Sequence, residues 1–288
     1  MVRQFLAPAK VNLALRIVGR RADGFHLLWT VMTFFPLYDL LEIDTPAADL
    51  QFTCDPPVTA VAEDNLVWRA ARLLQEASGT GQGAHLHLRK AIPHGAGLGG
   101  GSSDAATTLL ALNTLWGLHW PLPPLLALGE RLGADVPLFL GGTAALAEGI
   151  GERLTPLPQL AAADLVLIHP GVSLSTAEVF RHWHRHAHPE SGVPPPLLPS
   201  CTETLLPLLV NDLESTATAL QPVIAQLAVA LRQQGALGTL MSGSGSSVWG
   251  LFAGEGEAQA AAQALRRAHP EWQIFCGRTF NQHPLARG

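Results

Sequence analysis

The chain has 288 residues, enough for two ordinary domains, and 48% hydrophobic against 14% charged residues supplies material for full cores. Its net charge of −5, from 23 acidic and 18 basic residues mixed along the chain, excludes nucleic acid as a main partner, since phosphate binding draws on a basic surplus. Cys54, Cys201 and Cys276 stand alone with no CxxC pair, which excludes a structural zinc site and a disulfide framework.

The N-terminal residues carry no long apolar run before a small-residue cleavage site, so no signal peptide is expected. No apolar stretch reaches membrane-spanning length either. A cytoplasmic protein with reduced thiols, acting away from membranes, is the expectation.

Residues 10–18 alternate apolar and polar and predict a strand; residues 26–35 and 40–43, β-branched and aromatic, predict two more. The charged, glycine-bounded stretch 19–24 between them reads as a turn. Asp64 is the expected N-cap of a helix whose apolar stripe is Leu66, Val67, Ala70, Leu73 and Leu74, with Gly79 ending it. Residues 85–92 return to a strand. A glycine-rich run over 93–101 leads into a helix that begins at Ser102 or Ser103 and reaches about Trp116. A further helix over 124–132 is closed by Gly133, and the first domain is expected to end near residue 155.

The second half opens with a strand over 164–169 and a short helix over 175–184. A proline-dense loop at 189–199 precedes helices expected at 205–214 and 219–234. Then come strands at 237–241 and 247–253, a helix over 257–269 and a strand over 273–280. Strands and helices mix without a regular βαβ beat, so the fold class is α+β in two domains, 1–155 and 156–288.

Four features carry chemistry. The first is the run Pro93, His94, Gly95, Ala96, Gly97, Leu98, Gly99, Gly100, Gly101, Ser102 and Ser103, followed by a helix. Glycines let backbone N–H groups converge on phosphate oxygens, and the helix adds its unpaired amides and positive dipole end. The letters Gly95-x-Gly97-x-x-Gly100 match a dinucleotide fingerprint, but the run lies outside a first βαβ unit. No lysine follows the glycines, so a Walker A loop is excluded.

The second feature is Pro8-Ala-Lys-Val-Asn-Leu-Ala-Leu15. Lys10 and Asn12 share one face of a strand, while Val11, Leu13 and Leu15 point into a core. Only Lys10 and Lys90 are lysines in a chain otherwise using arginine, so each raises the question of what a compact ammonium does there. The third is Leu132-Gly-Ala-Asp-Val-Pro137; the fourth is Met241-Ser-Gly-Ser-Gly-Ser-Ser247. Taken singly, Lys10 reads as a surface ammonium, Asp135 as a helix cap and the last stretch as a turn. His182, His184, His186 and His188 are spaced by two at the end of a helix, which reads as a solvated run and not a metal site.

In combination, Pro-Ala-Lys-Val-Asn-Leu, the glycine run and Ser-Gly-Ser-Gly-Ser resemble the three motifs of the GHMP kinases, in order. Arg21-Ala-Asp-Gly-Phe-His26, Glu63-Asp-Asn-Leu66, Leu132 to Pro137, His169-Pro-Gly-Val-Ser173 and Asn211-Asp-Leu-Glu214 resemble the subgroup acting on cytidine-diphosphate-linked methylerythritol in the non-mevalonate route to isoprenoids. The resemblance runs from residue 5 to about 280.

It implies an N-terminal ATP-binding domain, a C-terminal substrate domain and transfer of the ATP γ-phosphoryl to the 2-hydroxyl of the methylerythritol portion. Asp135 is then the general base and Lys10 its cationic neighbour. Residues 93–103 hold the ATP phosphates with Mg²⁺, whose ligands are left unassigned, and Asn65 and Leu66 lie near adenine. Asn12 and His26 bind substrate, His26 at the cytosine edge, with Phe25 and Phe180 as the stacking pair. Phe25 departs from the tyrosine common in the family, keeping a ring face and losing a hydroxyl.

Overall fold

The alternation at the N-terminus produces one long antiparallel pair. β1 (Val2–Arg20) and β2 (His26–Ala47) run from Val2 opposite Asp44 to Arg20 opposite His26. The two segments expected over 26–43 are thus a single strand. Pro36 does not break it, because the register shifts between Pro8 and Ala9 and leaves Pro36 in the bulge, where no ladder N–H is needed. The computed structural model describes residues 1–183 and 205–285.

Five further strands complete the larger sheet: β3 (Leu50–Asp55), β4 (Gly83–Arg89), β5 (Ala145–Gly149), β6 (Arg153–Pro156) and β8 (Val210–Asn211). The order is β3-β4-β2-β1-β8, with β5 also on β2 and β6 on β5. Helices α1 (Leu66–Ser78), α2 (Gly100–Leu115), α3 (Leu122–Leu132) and α4 (Val136–Gly141) supply the cluster that covers one face of this sheet, with Leu74, Leu109 and Phe139 against Phe34, Leu41 and Leu88. Burying such side chains contributes about 1.5–3 kcal/mol each.

The smaller sheet is antiparallel, in the order β11 (Gln273–Arg278), β7 (Asp164–His169), β10 (Val248–Phe252), β9 (Gly238–Met241). Period-two alternation divides its faces. Leu165 and Leu167 join Trp249 and Leu251 in a cluster with Val11, Leu13, Trp29 and Val31 of the larger sheet. Val166 and Ile168 point the other way, onto α5 (Thr176–His182), α6 (Glu214–Leu220), α7 (Val223–Gln233) and α8 (Glu255–Ala268). The layers are therefore helices, sheet, sheet, helices, in an α+β arrangement.

Several elements differ from expectation for identifiable reasons. Asn65, not Asp64, caps α1: its Oδ1 accepts from the Val67 N–H at 2.9 Å, and residues 62–64 form a 3₁₀ turn before it. Residues 205–214 are not a helix. A 3₁₀ turn over Leu206–Leu208 leads into β8, which pairs in parallel with Ala14 and Leu15. The helix expected at 219–234 is two helices, because Pro222 disfavours helical geometry at Gln221 and brings no N–H. The proline loop at 189–199, His184, His186, His188 and Cys201 lie outside the described residues.

One irregularity turns the N-terminal strand toward the site. The β1–β2 register shifts between Asn12 and Ala14, so Leu13 is an extra residue. Leu13 stays in the cluster between the sheets, but Leu15 now packs with the α5–α8 cluster and lines a cleft with Lys10 and Asn12. Leu15 was expected on the opposite face, and the bulge reverses the alternation.

Candidate active site

The glycine run lies in a cleft of about 490 Å³ between the two sheets' helical ends. Its carbonyls face the protein. The His94 carbonyl accepts from the Ser173 hydroxyl at 2.7 Å and that of Gly95 from the Leu174 N–H at 3.1 Å. The Ala96 carbonyl accepts from the Ser247 N–H at 3.3 Å and that of Gly97 from the Ser242 hydroxyl at 2.9 Å. Leu98 and Gly99 accept from the N–H groups of Lys10 and Ser103, each at 2.9 Å. Six consecutive carbonyls are thus taken up.

The N–H groups of residues 94–99 make no hydrogen bond among the described residues. Backbone donors seldom go unpaired inside a protein, so a row of free amides before a helix N-terminus suits an anion. The positive φ of Gly95, Gly97 and Gly99, at 63°, 77° and 69°, is what lets the chain hold this shape. A side chain at Gly97 would place its Cβ 2.0 Å from the Ser242 carbonyl oxygen, so only glycine fits there.

Lys10 and Asp135 stand across the cleft. Lys10 is buried, contrary to its single-residue reading, and its Nζ donates to Asn12 Oδ1 at 2.7 Å. It lies 3.6 Å from Asp135 Oδ2. Asn12 is held in turn: its Nδ2 donates to Thr30 Oγ1 at 2.8 Å, and the Thr30 hydroxyl donates to the Ala14 carbonyl at 2.7 Å. Asp135 occupies the N-cap position of α4 but makes no capping hydrogen bond, and its side chain is 36% exposed. A carboxylate free of the helix and beside one ammonium can accept a proton from an alcohol placed in the cleft.

Asn65, Leu66, every residue from Pro93 to Ser102, and Phe180 also line the cleft. Ser103 does not; it is buried in α2, and its hydroxyl has no partner among the described residues. His26 stacks on Phe180, centroids 5.2 Å apart, and meets Trp183 edge-on at 5.3 Å. Burial, helped by the Arg20 charge, lowers the His26 pKa below its ordinary 6.5, which favours the neutral ring. Phe25 stands 60% exposed beside this group. His182 is exposed, its Nδ1 2.9 Å from the Glu178 carbonyl, and no cluster of potential metal ligands occurs among the described residues.

Sequence reasoning missed several participants. Ser242, taken singly as part of a turn, is the hydroxyl behind Gly97, while Gly243 and Ser244 line the cleft. Lys90, noted only for its rarity, has its side chain buried against Asp39 and Asp104 and, with Asp104, lines the cleft. Burial pushes the Asp104 carboxyl up from its ordinary range, with Lys90 opposing and Asp39 reinforcing. For Lys90 the two carboxylates outweigh burial and hold the ammonium charged. The signal for Lys90 was its scarcity; that for Asp39 lay only in space.

The chain is similar to known proteins over nearly its whole length. Residues 65–143 match the GHMP kinases N terminal domain family and residues 200–271 the GHMP kinases C terminal family. The 4-diphosphocytidyl-2-C-methyl-D-erythritol kinase of Chromobacterium violaceum is 44% identical, over 97% of this chain and 95% of its own length. That of Chromohalobacter salexigens is 45% identical, over 97% and 91%. A crystal structure of 4-(cytidine 5'-diphospho)-2C-methyl-D-erythritol kinase superposes with a TM-score of 0.84 at 40% identity, covering 96% of this chain and 99% of that one.

Proposed function

From the premise that the chain belongs to the 4-diphosphocytidyl-2-C-methyl-D-erythritol kinases of the GHMP superfamily, we propose that it moves the ATP γ-phosphoryl to the 2-hydroxyl of that cytidine-linked alcohol. The observation that carries the reading is the row of six tied carbonyls with free amides in front of α2. The triphosphate lies along those amides, with adenine toward Asn65 and Leu66. Preorganised donors of this kind act on charge that spreads over the transferring oxygens and need no reorganisation as it develops.

Asp135 takes the proton of the attacking hydroxyl as the new oxygen–phosphorus bond forms. Lys10, fixed by Asn12, balances negative charge at the attacking oxygen and the incoming phosphoryl. The cytosine ring is held by His26, Phe25 and Phe180, a neutral imidazole offering one donor and one acceptor to the base edge. Mg²⁺ fits the donors present: Asp135 and Ser102 line the cleft, and this ion takes one or two protein oxygens plus phosphates. When bound it neutralises charge between the β and γ phosphate oxygens.

In this proposal the chain divides near residue 155, the first part holding ATP, and among the described strands only the short β8 of the second part returns to the edge of the larger sheet. No helix among the described residues is long and apolar enough to cross a membrane, and small soluble substrates suit action in the cytoplasm. The test is turnover of 4-diphosphocytidyl-2-C-methyl-D-erythritol with Mg-ATP by purified protein, with phosphorus NMR reading the position modified. A phosphomonoester on the 2-hydroxyl supports the proposal; phosphate released to water with no modified alcohol rejects it.

A further inference from the structure

Lys90 and its two carboxylates are absorbed by no step above. Lys90 Nζ donates to Asp39 Oδ2 and, at 2.8 Å, to Asp104 Oδ2. All three side chains are buried. The other Asp39 oxygen, Oδ1, accepts from the Ala91 N–H at 2.6 Å and the Ile92 N–H at 2.8 Å. Asp39 therefore holds the backbone that enters the glycine run, and Lys90 joins it to Asp104 on the helix that leaves it. The ammonium also lies against the run, and Lys90 and Asp104 line the cleft with it: a Cβ built on Gly100 would sit 3.2 Å from Lys90 Nζ.

We infer that Lys90, with Asp39 and Asp104, is a positioning network that clamps the two stems of the phosphate loop and thereby sets affinity for ATP. Glycine gives the loop its shape at the expense of stiffness, since each glycine has more conformations to leave than any other residue. A loop that must present a row of amides in one arrangement gains affinity when its ends are held beforehand. The carbonyl ties fix the loop's back, but none of them crosses from residue 91 to residue 104. The ion network spans that gap.

Lysine suits the position for a geometric reason. Its compact ammonium is a point charge that donates to two carboxylates on different elements beside one glycine, whereas a guanidinium presents its donors in a fixed planar fork. No hydrogen bond or ion pair joins the network to Lys10 or Asp135 among the described residues, so its effect is expected on nucleotide binding and not on proton transfer.

The inference rests on the phosphate-loop reading, and one set of measurements separates the two. Lys90→Met alone would strand two buried carboxylates and risk unfolding. The informative variant is Lys90→Met with Asp104→Asn, compared with Asp104→Asn, folding being checked by circular dichroism. The expected result is a rise in the KM for ATP of about tenfold, the scale of one lost charge-assisted tie, with kcat and the KM for the alcohol each within about twofold. Lys90→Arg with Asp104→Asn should recover part of the ATP affinity. An ATP KM equal to that of the reference, or a parallel loss in all three constants, overturns the inference.

Hydrogen exchange on the unaltered protein provides the second arm, independent of whether the variants fold. Without nucleotide, the amides of Ala91, Ile92 and Ser103 should exchange slowly and those of residues 94–99 quickly; equal rates in stem and loop overturn the clamp. A non-hydrolysable ATP analogue should then slow residues 94–99. If the stem is protected but the analogue leaves the loop unchanged, the phosphate-loop reading falls instead.

Discussion

Asp135 and Lys10 carry ordinary single-residue readings that their surroundings reverse. A capping aspartate would bond an amide of α4, and Asp135 bonds none, so Asp135→Asn should leave stability near that of the parent. A general base contributes on the order of 10²–10⁴ in rate, and kcat should fall by that range with little change in the KM for ATP. A coupled assay reads this; a kcat within a factor of a few of the parent removes Asp135 from proton transfer. His26→Ala makes the complementary prediction at the other end of the substrate. It removes the imidazole assigned to the cytosine edge, and a lost hydrogen bond costs about 1 kcal/mol, so the KM for the cytidine substrate should rise roughly fivefold or more while that for ATP holds. These residues were legible because their neighbours in the chain form dense motifs. Lys90, Asp39 and Asp104 were not, since residues 39, 90 and 104 meet only through the pairing of β2 with β4 and the turn into α2.

The glycine run shows what an element adds to its residues. Its letters announce an anion cradle, yet the feature that turns its amides outward is supplied by distant segments: Ser173, Leu174, Ser242, Ser247 and Lys10. Ser242→Ala frees the Gly97 carbonyl and breaks one of these ties. A lost hydrogen bond of this kind costs about 1 kcal/mol, so the KM for ATP should rise roughly fivefold, with circular dichroism unchanged; an unaltered KM would show that the tie at Gly97 is dispensable. The same dependence on distant partners explains where the elements misread. Residues 205–214 are apolar enough for a helix, but Val210 and Asn211 find the open edge of β1, and the Asn211 side chain donates to the carbonyls of Met241 and Gly243 at 2.8 and 2.7 Å. No local periodicity announces a two-residue strand paired with a partner nearly two hundred residues away. The Pro222 break, by contrast, was written in the chain and overlooked.

At the scale of the molecule, two sheets pack face to face and the C-terminal tail returns to brace the first. Phe280 bridges to Phe34, Gln282 to Thr143, and His283 lies between the rings of Phe34 and Phe139 with no exposure. Phe139 belongs to α4, which Asp135 begins, so the tail supports the helix that presents the carboxylate proposed as general base. The two-domain α+β plan could be read from motif order and element spacing, but this return could not: nothing in residues 280–283 marks them as partners of residue 34. Burial drives the pKa of His283, and of His169 beside Ser246 and Ser247, down to about 4. Between pH 6.5 and 4 the unfolded chain protonates these imidazoles while the folded chain does not. The unfolded state then binds more protons, so stability falls as pH falls through that window and levels off below it. Each histidine can contribute up to about 3 kcal/mol to this loss at 1.36 kcal/mol per pKa unit. His283→Phe keeps a ring among rings and removes one titration. Its melting temperature relative to the parent should therefore climb as pH is lowered from 7.5 to 4.5, and a difference independent of pH would mean that folding does not shift the titration of this imidazole.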